Sequence, residues 1–497
     1  MQPKLLLFVL AAGLSGCAVS TTPLSVDEIS DYAGDKRSRV TTDQEPVSGP
    51  VSLYEAMARA LKYNLDKRVE LMNVALAKRQ VSLAHHEGLP RLVADSGYTK
   101  RNNYSGGNSV SIIGKDETGA QSLRSSTSSE REVKTGDLAF SWHILDFGLS
   151  YIRAQQAADK VLIANEQKRK VINRIVEGVR TAYWKAVTAS RLLGRLRSLE
   201  RRVQGAMRDT QALARKADTS PLTALTYERE LVEIQREVRR LHGDLAVAKS
   251  QLASLMNVDP GANFSVIMPS HFHQPKRIGM NVGDMISTAL ENRSELREVA
   301  YKERINKKEA EAAIVEMLPG ISFDAAPNWS SNQFLYNSHW VSWGAKASWN
   351  LMKVFTYRDR EAAIIAQDEL LDQRALAVTM AIMTQVHVSR VRLIHARRKY
   401  RSAKHYYDVQ RRILGQIRSS LAQEKVSEQT AIREEMNTLV ARVKLDVAFT
   451  ELQTAHANVY SSMGTDPYAP LVDEDLDLRS LAVALKTGWR TLVIASH

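Results

Sequence analysis

The chain has 497 residues but only 24 Gly and 13 Pro, so long elements with few turns are expected. Charged residues make up 25%, hydrophobic residues 44% and aromatic residues 6%, which disfavours disordered, collagen-like and polytopic helical membrane proteins. The net charge of +13 suits a polyanion or an anionic membrane surface.

Residues 1–16 have the layout of an export signal. Lys4 precedes an apolar run from Leu5 to Ala12, and small residues stand before Cys17. This pattern resembles a bacterial lipoprotein signal, in which Cys17 is lipidated and becomes the mature N-terminus; a plain secretory signal or a buried core cysteine is the alternative. Because this is the one cysteine, no internal disulfide can form, and since one acyl chain holds a membrane weakly, further membrane contacts are expected.

Residues 17–50 are rich in Ser, Thr and Asp without clear periodicity and predict a tether. An internal repeat begins after it. A shift of 229 residues superposes Ala60-Leu61 on Ala289-Leu290, and Leu89-Pro90 on Leu318-Pro319. Further along, a shift of 207 superposes four more pairs: Ser141-Trp142 on Ser348-Trp349, Arg153 on Arg360, Ser220 on Ser427, and Asp259-Pro260 on Asp466-Pro467. The change of shift predicts a longer loop in the first copy, within Asn103 to Gly136.

The repeat divides the chain into two copies, residues 51–260 and 281–467, with an inter-repeat linker at 261–280 and a C-terminal tail at 468–497. Each copy begins with a helical pattern of roughly 35 residues that ends at its Leu-Pro pair, because proline cannot continue a helix.

Alternating apolar and polar residues then predict a β-hairpin in each copy, at about 91–147 and about 320–351. Leu138, Phe140 and Trp142 alternate in the first copy, and Val341 to Leu351 in the second. Five of the seven Trp lie in or beside these segments: Trp142, Trp329, Trp340, Trp343 and Trp349. One-sided strands with aromatics near their ends are typical of outer-membrane barrels, where these Trp would lie at the membrane interface; a soluble hairpin packed on a helix is the alternative.

A very long helical pattern follows each hairpin, from about Tyr151 to Lys216 and from about Tyr357 to Ser420, without Pro. Each would extend about 95 Å at 1.5 Å per residue. Returning helices are predicted at about 221–256 and 426–463, so each copy ends in a long helical hairpin.

These features together resemble a TolC-type outer-membrane factor, lipoprotein subtype. The resemblance covers nearly all of the mature chain and includes the duplicated helix with Leu-Pro, the hairpin, Trp-x-x-Leu-Asp-Phe-Gly at 142–148 and the closing Met-x-x-Asp-Pro. The second copy departs from it, with Trp349 to Phe355 lacking the Asp-Phe-Gly.

The resemblance implies a mainly α fold with a small transmembrane β part. Four strands cannot enclose a pore, and an open sheet edge in lipid leaves backbone groups unsatisfied. The resemblance implies a homotrimer whose twelve-stranded β-barrel continues into a periplasmic α-helical barrel. The linker and the tail would form an equatorial belt around it.

The helix tips are where the family closes its tunnel and docks its periplasmic adaptor. The candidates here are Thr219, Ser220, Leu222, Val426, Ser427, Glu428, Thr430, Arg433 and Glu434. Many members place acidic residues three and six positions after the second tip serine, where this chain has Thr430 and Arg433. Arg433 either lines the lumen and favours anions, or faces outward and pairs with a Glu such as Glu428 or Glu434.

No catalytic or metal-binding constellation is expected. His85-His86 and His271-Phe-His273 lack the spacing of a zinc hydrolase, and no phosphate-binding loop is present. The predicted function is a passive exit duct for drug efflux or type I secretion in the outer membrane of a Gram-negative bacterium, extending into the periplasm. Its partners are outer-membrane lipid, an adaptor and an inner-membrane transporter, with no nucleic acid and no cofactor beyond the lipid on Cys17. The alternatives are a lipid-anchored periplasmic coiled-coil scaffold or adaptor and, more remotely, a membrane-anchored hydrolase.

Overall fold

The computed structural model describes residues 22–42, 44–108, 110–113, 116–121, 125–215, 221–267, 274–423, 425–426, 428–465 and 476–495. The predicted signal and Cys17 lie outside these residues. None of the described helices combines the length and the apolar character needed to cross a membrane.

The described helices and strands follow the predicted order in both copies. The helices are α1 (Val26–Arg39), α2 (Leu53–Tyr63), α3 (Leu65–His86), α4 (Ile144–Arg215), α5 (Pro221–Ala246), α6 (Ala248–Leu255), α7 (Val282–Asn292), α8 (Ser294–Val315), α9 (Lys353–Leu421), α10 (Glu428–Ser462) and α11 (Leu478–Ala495). The strands are β1 (Arg91–Lys100), β2 (Ser105–Gly107), β3 (Val110–Ile113), β4 (Asp116–Gln121), β5 (Ser126–Ser129), β6 (Glu132–His143), β7 (Gly320–Ser330) and β8 (His339–Ser348).

The single first helix predicted for each copy is wrong, because both are broken at equivalent positions. Asn64 and Arg293 have extended backbone, with ψ of 130° and 128°. The side chain of Asn64 also accepts a hydrogen bond from the amide of Lys67, so it ends α2 and caps α3.

The segment assigned to the tether contains a helix. In α1, Ser25 accepts a hydrogen bond from the amide of Glu28, whose side chain returns one to the Ser25 amide. This capping box stabilises a helix that buries none of its residues.

The longer loop of the first copy, between β1 and β6, carries two small hairpins, β2 with β5 and β3 with β4. In the second copy β7 and β8 are joined by residues 331–338. The main sheet has the antiparallel order β1-β6-β7-β8, so β1 and β8 are its open edges in one chain.

The helices form two stacked layers that share the 72-residue α4 and the 69-residue α9. Near the sheet, α3 packs on α4, α4 on α8 and α8 on α9. Farther away, α5 and α6 pack on α4, α4 packs on α10 and α10 on α9. The layers meet end to end, since the Asn64 amide donates to the carbonyl of Leu255 in α6 and Arg293 donates to that of Ser461 in α10.

The largest apolar cores lie where the layers meet. Helices α2 and α11 pack with α4 and α6 around Met57, Val179, Tyr183 and Leu485. Helix α7 packs with α9 and α10 around Met285, Val386, Phe449 and Tyr460. Trp489 of α11 contacts both cores, so the C-terminal helix joins the two copies at mid-length.

Candidate functional site

The four-stranded sheet has one apolar and one polar face. Phe140 stands between Leu92 and Ala325, and Ala325 is paired with Trp343. Because directly paired residues share a face, the register assigns these residues to the apolar face: Leu92, Ala94, Leu138, Phe140, Trp142, Ile321, Phe323, Ala325, Val341, Trp343, Ala345 and Ala347. Trp343 is 86% exposed in the single chain.

The polar face carries carboxylates on β1, β6 and β7. Asp137 stands between Asp95 and Asn328, and Asp324 between Ser141 and Gly344. Like charges directly opposite each other destabilise a strand pair in water-poor surroundings. The pair Asp95 and Asp137 therefore indicates that this face meets water.

The five Trp named above do not share one position. Trp142 and Trp343 lie on the apolar face, as does Trp329, which pairs with Gly136 and His339. Trp349 follows β8, and its Nε1 donates to the Met317 carbonyl at 2.9 Å. Trp340 pairs with Asn328 and belongs to the polar face. Trp340 therefore points away from the face that carries Trp329 and Trp343, because neighbouring residues of a strand point to opposite faces, and its place at the membrane interface stays a prediction.

An ion-pair cluster lies where the sheet passes into the helices. Arg153 of α4 and Arg360 of α9 both bind Glu309 of α8 and the nearby Glu316. Burial alone would raise the pKa of Glu309, but hydrogen bonds from Arg153, Gln156 and Arg360 lower it to about 2. The two arginines are equivalent in the repeat, so one carboxylate pair holds corresponding points of both copies.

The helix tips are described in part. Thr219, Ser220 and Ser427 lie outside the described residues, and the side chain of Glu428 is not described. Leu222 is exposed, whereas Val426 and Thr430 are half-buried.

Arg433 pairs with Glu434 of its own helix and with Glu230 of the first repeat copy. Its Nε lies 3.4 Å from Oε1 of Glu434, and its Nη1 lies 3.6 Å from Oε2 of Glu230 in α5. Glu434 in turn accepts a hydrogen bond from the buried Gln410 of α9. Glu230 could not be found from sequence, because it lies about two hundred residues away and only packing brings it near.

A second ion pair joins the two copies of the repeat two residues farther along α10. Arg202 of α4 binds Glu435 of α10 at 2.8 Å, and this hydrogen bond holds the pKa of Glu435 below its usual range. The histidines noted in the sequence are separate from these groups: His85 and His86 are exposed at the end of α3, and His271 and His273 lie outside the described residues.

Comparison with known proteins identifies solved structures that share this architecture. No protein-family model and no curated protein matches the chain. Solved structures do match: the Campylobacter jejuni CmeC outer membrane channel, at 14% identity and TM-score 0.64, is covered over 98% of its length by 95% of this chain. The outer-membrane channel OprN matches at 15% identity and TM-score 0.63, over 86% of this chain and 95% of that one.

The open state of the Neisseria gonorrhoeae MtrE outer membrane channel matches at 14% identity and TM-score 0.62, over 85% of this chain and 94% of that one. The chain thus has the fold of TolC-type outer-membrane factors.

Proposed function

We propose that this chain, whose fold is that of outer-membrane channels, is one third of an outer-membrane exit duct of a tripartite export system. The observation that carries the proposal is the two-faced sheet mounted on helices of 72 and 69 residues. Strands of 10 to 12 residues suit the apolar thickness of a bilayer, and the polar face suits a water-filled lumen. Catalysis is not part of the proposal; export energy would come from an inner-membrane transporter.

The open sheet edges support a trimer. In lipid, every unpaired backbone group on β1 and β8 would cost several kcal/mol. If β8 of one chain pairs with β1 of the next chain, these backbone groups are satisfied. Three chains then give twelve strands, a barrel size found in outer membranes.

The helices support the same ring closure through the internal repeat. Helix α8 packs between α4 and α9, whereas its equivalent, α3, packs along α4 alone among the described long helices. The missing neighbour of α3 corresponds to α9 of another chain in the trimer. The exposed faces of α3 and α9 are equivalent in the repeat to the faces of α8 and α4, which contact each other inside the chain.

The exposed residues of α3 fit this assignment. Val69, Met72, Leu76 and Leu83 recur every three, four and seven residues and are 58% to 66% exposed. A shift of 229 places them on Glu298, Tyr301, Ile305 and Ala312 of α8. Ile305 lies where α8 contacts α4, since Gln156 of α4 donates to its carbonyl, and Ala312 is fully buried.

The outer parts of the proposal concern the membrane anchor and the partners. Cys17 would carry a lipid, which mass spectrometry of the mature N-terminus tests. The tips around Arg433 would close the tunnel and dock a periplasmic adaptor.

Two experiments test the duct itself. A Cys17→Ala variant with a cleavable secretory signal should still need detergent for extraction, because the barrel inserts without the lipid; a scaffold held only by its lipid would become soluble. Purified trimers should also give stepwise conductance in planar bilayers. No current from assembled trimers, including variants opened at the tips, would overturn the proposal.

A further inference from the structure

A groove of about 690 Å³ runs between α4, α9 and α10 near the middle of the molecule. Its charged lining consists of Lys185, Arg392, His395, Lys399 and Glu451. It lies beside the level where α2, α7 and α11 pack on the long helices.

The groove borders the second core, with which it shares Ala396 and Ala455, while its polar lining on α4 and α10 lies on the far side of those helices from the buried side chains. On α4, Val179 and Tyr183 are buried in the first core, whereas Thr181, two residues from each, lines the groove. On α10, Phe449 is buried in the second core, whereas Glu451 lines the groove. Two residues correspond to about 200° around a helix, so the equatorial helices cover one side of the wall and the groove faces the other, which is the lumen side of the proposed duct.

The groove has an excess of positive charge. Glu451 is bound by Lys399 at 2.7 Å, whereas Lys185 and Arg392 have no ion-pair partner among the described residues. Glu177 of α4 interacts electrostatically with Arg392, but burial, the larger effect, raises the pKa of that carboxyl.

The surrounding part of α9 is also basic. From His387 to Arg412 the sequence has nine Lys or Arg and one acidic residue, Asp408. Three copies around an axis would repeat the groove three times, and a narrow passage with low-dielectric walls strengthens the field of such charges.

We infer that the middle of the tunnel is a cationic constriction and that the duct passes anionic organic solutes, such as carboxylates and sulfonates, in preference to cationic ones. The inference rests on the proposed exit duct and deepens it by naming a cargo class. Lys185 and Arg392 are the residues assigned to attract the anion.

The test is the reversal potential of reconstituted trimers in planar bilayers under a potassium chloride gradient, followed by replacement of chloride by benzenesulfonate or of potassium by tetraethylammonium. Wild type should prefer the anion of each salt. Lys185→Gln combined with Arg392→Gln should lower the anion-to-cation permeability ratio about fivefold, the factor corresponding to unit charges about 4 Å apart in water. Lys185→Glu combined with Arg392→Glu should reverse the preference.

The matched control is Lys486→Gln with Arg490→Gln. These exposed residues of α11 lie on the equatorial side of the wall, so the same change of net charge should leave the ratio unaltered. A conducting wild type that prefers cations, or a Lys185/Arg392 variant with an unchanged ratio, would overturn the inference while leaving the duct intact. Absence of current from every assembled preparation would overturn the duct and this inference with it.

Discussion

The α4–α8 contact inside the chain and the exposed faces of α9 and α3 are equivalent in the repeat but differ in chemistry. Inside the chain, Arg304 binds Asp159 through both carboxylate oxygens. The equivalent residues are Ala75 and Ala366, both exposed in the single chain. The α4–α8 contact within a chain is therefore polar, whereas the α9–α3 contact assigned to neighbouring chains is apolar.

This difference indicates how one duplicated design serves two purposes. Within a chain, α4 and α8 are already held together by the chain connection. Ion pairs can therefore fix their register even though each half-exposed pair contributes only about 1 kcal/mol or less. Separate copies must overcome the entropy of association, and burial of apolar surface supplies most of the free energy for this.

The largest expected effect is loss of assembly when the apolar face is charged. Leu76→Arg removes about 1.5–3 kcal/mol of burial at each of three interfaces and introduces an unpaired charge there. We expect monomers in mild detergent, detected by native gel and light scattering. Val483→Arg, on an exposed position of α11 outside this face, should leave the trimer intact. Trimers of normal stability from Leu76→Arg would contradict the assigned interface.

The next effect concerns the sheet. Trp343→Arg on the apolar face should cost about 2–4 kcal/mol if it sits near the bilayer midplane, measured as a lower trimer melting temperature and poorer insertion into vesicles. Lys346→Gln, three residues away on the polar face, is the control and should change neither. Equal tolerance of both substitutions would argue against a lipid-facing surface.

The intrachain ion pairs should give a smaller, pH-dependent effect. Because the pKa of Glu309 is about 2, below the roughly 4.3 of an unfolded carboxyl, its stabilisation is complete above about pH 4.3 and is lost as pH falls towards 2. Glu309→Gln should lower the free energy of unfolding by about 1–2 kcal/mol at pH 7, allowing for solvent screening.

The difference between wild type and Glu309→Gln should then close as the pH is lowered through that window. Glu311→Gln is the control, because among the residues the structure describes Glu311 pairs with Lys308 of its own helix. A Glu309→Gln difference that is independent of pH between 7 and 3 would contradict the assigned pKa.

The smallest effect is expected at the tip, where Arg433 joins α10 to α5. Arg433→Ala releases Glu230 and Glu434 and should raise open probability up to about fivefold, since such half-exposed pairs contribute up to about 1 kcal/mol. Glu230→Gln should do part of the same. Arg240→Ala, at an exposed arginine that binds Glu237 of its own helix, should not. Because Arg433 is already paired, ion preference should stay unchanged; a shift towards cations in Arg433→Glu would instead place it in the aperture.

The order of elements could be predicted from sequence because each carries a local signal. The Leu-Pro pairs, the absence of Pro from α4 and α9 and the alternation at Val341 to Ala347 depend on neighbouring residues alone. The capping box of α1 is also a local signal, Ser25 followed by Glu28, although its segment has no helical periodicity. At Asn64 a capping residue marked the helix break, whereas the side chain of Arg293 gives no such signal.

The contacts between copies of the repeat could not be predicted. Arg153, Glu309 and Arg360 come from three helices spread over two hundred residues, and only packing determines which arginine meets which carboxylate. The same holds for Arg433 with Glu230. Once a contact is known in one place, however, the repeat predicts its equivalent. The Arg304–Asp159 contact in this way predicts a contact between Ala75 and Ala366 of neighbouring chains.

The most direct test of the account is a cysteine cross-link between those two alanines. Ala75 and Ala366 of one chain are separated by α4 and α8, so a short bismaleimide can join them only between copies. With Ala75→Cys and Ala366→Cys together, we expect covalent dimers and trimers on a denaturing gel, and neither single variant should give them. Monomers alone from the double variant, in membranes where the protein is inserted, would contradict the ring in which α9 of one copy meets α3 of the next.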